Sequence, residues 1–93
     1  MGQYDKNYQS YLMGRLRAAE KGQAEAYNDL GLLYSTGQGV DLDMIAAHKW
    51  FNLAAMKGVK RAQVDRADLA GDMSAWEVAE AQKMAREWQS NHH

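Results

Sequence analysis

The 93-residue sequence predicts an all-α fold, a solenoid of about two and a half antiparallel helical hairpins comprising five helices. Three observations predict it. A segment recurs at a fixed spacing, glycines punctuate the chain at the ends of apolar-periodic stretches, and those stretches carry apolar residues three and four apart. Such stripes are the mark of helices that face other helices.

The repeat is visible when the chain is compared with itself. Ala18-Ala19-Glu20-Lys21-Gly22 is echoed by Ala54-Ala55-Met56-Lys57-Gly58, a shift of 36 positions that also carries Ala26 onto Ala62 and Asp29 onto Asp65. A period in the mid-thirties is that of a two-helix unit. With no proline in the chain, glycine does the punctuating, and Gly22, Gly37, Gly58 and Gly71 stand where left-handed helix caps are wanted.

These glycines divide the chain into helices over 6–21, 24–35, 42–57, 60–70 and 75–88. Met44, Ala47, Phe51 and Ala54 form one apolar stripe, and Val78, Ala81, Ala85 and Trp88 another. Asp41 and Asp43 read as N-terminal capping residues, because the third acid, the glycine and the distal glutamate of a calcium loop are missing. Ser74 with Glu77 spells a capping box at the start of the last helix. The whole makes one domain over 1–89: a half-repeat helix (6–21), a full repeat (24–58) and a degenerate repeat or cap (59–89). Residues 90–93 read as a tail, with His92 and His93 serving no visible structural purpose and taken as the remnant of a purification tag.

Composition narrows the function. Hydrophobic residues at 46% and charged residues at 25% suit a folded globular chain. A net charge of -1, with basic and acidic residues interleaved, offers no field for nucleic acid. The absence of cysteine removes thiolate chemistry and disulfides and fits a reducing, cytoplasmic compartment. No stretch approaches the roughly 18 apolar residues of a membrane span, the first eleven residues lack a signal-peptide core, and Lys6 breaks the myristoylation pattern after Gly2.

The run Ala26-x3-Leu30-Gly31-x2-Tyr34-x2-Gly37-x-Gly39-Val40-x2-Asp43-x3-Ala47-x2-Trp50-Phe51-x2-Ala54-Ala55-x2-Gly58 resembles the Sel-one-like repeat, a relative of the tetratricopeptide repeat. The resemblance is specific over 24–58, partial at 10–22 and weak at 59–89, where Arg66, Ala67 and Ala70 replace Leu30, Gly31 and Tyr34. It implies tetratricopeptide-like, right-handed stacking and a small bacterial adaptor or scaffold that binds another protein on its concave face. Glu25, Asn28, Leu32 and Ser35 would then line the inner face, with Arg61, Val64, Asp68 and Gly71 following at the shift of 36. Gly31 lets a partner helix approach, and Tyr34 and Trp50 fill the space between.

No residue set points to catalysis, a cofactor or a metal. His48 lacks a second ligand at helical spacing and reads as a partly exposed structural histidine. Gly37-Gln38-Gly39 carries no weight as a nucleotide loop, since it follows no strand. Asp65, Asp68 and Asp72 share one helical edge, read as a solvated face. On the first helix, Tyr4, Tyr8, Tyr11 and Arg15 mark a second row beside Leu12, Leu16 and Ala19. That row, or the end of the last helix around Trp76 and Trp88, supplies the alternative reading of a self-associating homodimer.

Overall fold

Five helices are present in the computed structural model, which describes residues 6–92 and, of Lys6, the backbone: α1 (Lys6–Glu20), α2 (Ala24–Thr36), α3 (Met44–Met56), α4 (Lys60–Ala70) and α5 (Ala75–Asn91). No strand occurs among the described residues. The expected all-α helical-repeat architecture is therefore the one observed. Helix α5 runs on through Ser90 and Asn91, which the sequence placed in a tail.

Gly22, Gly37 and Gly58 close α1, α2 and α3 with φ of 78°, 72° and 91°, the left-handed conformation that a Cβ would strain. Gly71 departs from this expectation, with φ -61° and ψ -24°. Here the chain unwinds through a tighter turn. Gly71, Asp72 and Met73 donate to the carbonyls of Asp68, Leu69 and Ala70, three residues back, so no left-handed residue is required. The starts follow the expected chemistry. Asp43 accepts from the Ala46 amide at 3.0 Å, and the Ser74–Glu77 box closes with bonds of 3.1 and 2.8 Å.

Helix α3 is the hub. It packs against α2, α4 and α5, while α1 covers the far side of α2. The α2–α3 approach is close because Gly31 has no side chain: a Cβ there would overlap the Phe51 ring. Helices α4 and α5 both rest on α3 through small residues, Ala62 from one and Ala85 from the other, both fully buried. Small faces let backbones come near at low entropic cost.

An aromatic cluster ties the C-terminus to this hub. Tyr27 stacks on Trp50 at 5.8 Å between ring centres, and Trp88 meets Trp50 edge-on at 4.8 Å while its indole N–H donates to the Tyr27 hydroxyl at 3.4 Å. Trp88 thus belongs to the interior side of α5 and is not a free association surface. His92 stacks on Trp88 at 3.6 Å and sets its Nε2 3.0 Å from Glu20, so it has a structural role that the sequence reading denied it. His93 and Tyr4 lie outside the described residues.

His48 corrects another expectation: it is 2% exposed, not partly exposed. The hub is covered on several sides, so the position after Ala47 has no open face to reach. Burial, and then the nearby Arg66 guanidinium, push its pKa below the ordinary histidine value, which keeps the ring neutral.

Candidate functional site

Helices α2 and α4 are the first members of the two hairpins, and a groove of about 250 Å³ runs between them. Leu32 and Ser35 form one wall, Phe51 of α3 the floor, and Asp65, Asp68, Leu69 and Asp72 the other wall. The floor arises because Phe51, 2% exposed, fills the space that Gly31 leaves open. The acidic wall arises because positions 65, 68, 69 and 72 recur on one side of a helix and its exit turn.

Three of the residues expected on the concave face, Leu32, Ser35 and Asp68, meet in this groove. Glu25, Arg61 and Val64 are exposed but do not line it, Val64 at 60%. Asn28 is a correction: at 5% exposure it lies inside the protein, because α2 is covered by α1 on one side and α3 on the other. Asp68 and Asp72, expected with Asp65 on a solvated face, are exposed, and with the half-buried Asp65 they make up the acidic wall.

The groove is unevenly charged. Arg61 places its Nε 3.9 Å from Asp65, on a side chain 76% exposed, so the pair is weak. Asp68 and Asp72 have no ion-pair partner among the described residues. The other nearby cation, Arg66, is spent on Asn52 Oδ1 at 2.6 Å. Helix α4 has no basic residue in its last turn to offset its negative end.

The tyrosine row is partly outward. Tyr8 and Tyr11 are 42% and 46% exposed, whereas Arg15 is taken up by Asp29 at 3.3 Å and lies 5.7 Å from the centre of the Tyr11 ring. Tyr8 also supports the α2–α3 connection, since a Cβ on Gly39 would stand 2.7 Å from its own. Beside this row Leu12, Met13, Tyr34, Val40 and Leu42 line an open apolar hollow of about 570 Å³. A third hollow, of about 380 Å³, opens where Tyr27, Trp88 and His92 meet Leu53 and Met56. Sequence reading missed both, because each is assembled from helix ends and connections that share no periodic signal.

Among the described residues no group of three or more His, Cys, Asp or Glu converges to hold a metal ion. No described helix is long and apolar enough to cross a membrane. A comparison with curated proteins finds no match. The sequence profile of the Sel1 repeat family matches residues 24–59, which is α2, the groove-floor helix α3 and the turns that bound them. This hairpin is a Sel1 repeat.

Proposed function

We propose that the protein is a non-catalytic interaction module, an adaptor or regulator that seats a peptide or helical segment of another protein in the groove between α2 and α4. Sel1 repeats generally mediate protein–protein interaction. The observation that carries the reading is the groove itself, in which an apolar floor lies between two helix walls that bear polar rims. A photo-crosslinking amino acid placed at Ser35 or Asp68, and at the remote Glu87 as control, tests it in the native cell. One discrete adduct from the groove positions and none from Glu87 is the expected result. Equal labelling at all three, or none, refutes the groove.

Self-association is the second reading, favoured by one observation. Tyr8, Tyr11 and Met13 are 42%, 46% and 49% exposed on α1, whose main helix neighbour among the described residues is α2. Light scattering over a concentration series decides it: a mass that rises with concentration, and stays at one chain when Tyr11 and Met13 become serine, supports the homodimer.

A further inference from the structure

We infer that the groove between α2 and α4 is built for a basic side chain, a lysine or arginine of the partner segment, with its aliphatic stem on Phe51 and Leu69 and its charged head between Asp68 and Asp72. The inference rests on the interaction reading above and names the chemistry of the occupant. Three observations converge on it.

The shape and polarity of the groove match an amphipathic side chain. Its floor is the Phe51 ring, its sides include Leu32 and Leu69, and its outer rim is carboxylate. Lysine and arginine are the residues that lay an apolar stem along such a surface and keep a charge at its edge. The volume of about 250 Å³ falls below the range of about 300–1,000 Å³ typical of small-molecule sites, and so suits a single long side chain.

Charge placement along α4 costs the free protein. Asp65 and Asp68 stand three apart on α4, where like charges destabilise a helix. Asp68 lies in the last turn of α4 and Asp72 just past it, at the negative end of the helix dipole, with no basic residue there to compensate. Arg61 reaches only Asp65, and only at 3.9 Å.

The acidity is local. The whole chain carries a net charge of only -1, so the wall does not reflect a generally acidic surface. A guanidinium set between two carboxylates makes charge-assisted hydrogen bonds that also fix its direction, which gives the groove a means of selecting its partner.

The test pans a random dodecamer peptide library against the full chain, then measures the enriched peptides by fluorescence anisotropy and locates them by amide shifts. Enriched peptides are expected to carry Lys or Arg beside an apolar residue and to shift the amides of Leu32, Ser35 and Leu69. Affinity should fall about tenfold or more in Asp68→Asn/Asp72→Asn, or when the peptide's basic residue becomes glutamine, and by less than about twofold in Glu87→Gln. Both protein changes are at exposed positions, so the fold is retained. Neutral or acidic peptides that shift the same amides would overturn the basic occupant and leave the groove reading standing. Peptides that shift only other amides, or no enrichment at all, would overturn both. Self-association of the free chain that the double asparagine variant abolishes would identify a second copy as the occupant and also overturn the inference.

Discussion

Six residues of α2 and six of α3 are buried, against one of α4 and two of α5, although a shift of 36 positions sets Ala26 and Asp29 of α2 on Ala62 and Asp65 of α4. Register is shared and burial is not. A helix pair in a solenoid hides its apolar side only where a neighbour stands, and the α2–α3 pair has α1 before it and α4 and α5 after it. Among the described residues the α4–α5 pair packs chiefly on α3. Its sequence follows that poverty of neighbours: Leu30 is replaced by Arg66, which bonds Asn52 instead of filling a core, and Gly31 by Ala67, which is exposed. The open side of α4 is in turn what leaves an acidic wall facing the groove.

The comparison predicts unequal effects of the two aromatic truncations. Trp50 is 3% exposed, and Trp50→Ala should cost about 3–5 kcal/mol, a large share of a small domain's stability. Trp88 is half-buried, so Trp88→Ala should cost about 2 kcal/mol and act mainly on α5. Urea unfolding gives the totals, and hydrogen exchange gives their location. Loss of protection confined to α5 amides in Trp88→Ala would establish two tiers of stability, while uniform loss would show that the two pairs unfold as one unit.

A smaller effect sharpens the same contrast at one repeat position. Gly31→Ala forces a methyl group into the Phe51 ring and should cost about 1–3 kcal/mol by overpacking. Its counterpart Ala67 already has a Cβ in open surroundings, so Ala67→Gly should cost only the lost helix propensity, about 1 kcal/mol or less. Equal costs would mean that the two positions are packed alike after all.

What the sequence could reveal divides along this line. Helix number, the left-handed caps at Gly22, Gly37 and Gly58, the capping box and the role of Gly31 were all legible, because each depends on local backbone chemistry or on a periodic pattern. Asn28 was misplaced because the shift of 36 transfers position and not environment: its counterpart Val64 is 60% exposed, while Asn28 is inside. Gly71 was misread because a glycine after a helix has two ways to end it. Trp88 stood on the apolar stripe and at the helix end alike, and only its contact with Trp50 and Tyr27, distant in sequence, decides between them. Leu32, Ser35 and Asp68, expected on the inner face, line the groove. Phe51 as its floor was hidden, since the period marked it as core and did not show that the core there meets the groove.

The smallest effect, absent at neutral pH, concerns the hub itself. His48 is buried on α3 with its Nδ1 lacking a hydrogen-bond partner among the described residues. Burial and the Arg66 charge lower its pKa in the folded chain, whereas the unfolded chain titrates near the ordinary value of about 6.5. The unfolded state therefore binds more protons between those two values, and stability must decline as pH falls below about 6.5, then level off once the folded pKa is passed. Well above about pH 6.5 His48 contributes nothing to the pH dependence. His48→Met keeps the side chain large and flexible and removes the titration, so its urea midpoint should fall less than that of the wild type between about pH 7 and pH 5. Contributions common to both proteins cancel in the difference. Parallel pH profiles would mean that the hub opens far enough to solvate His48, and that α3 is less securely covered than its neighbours suggest.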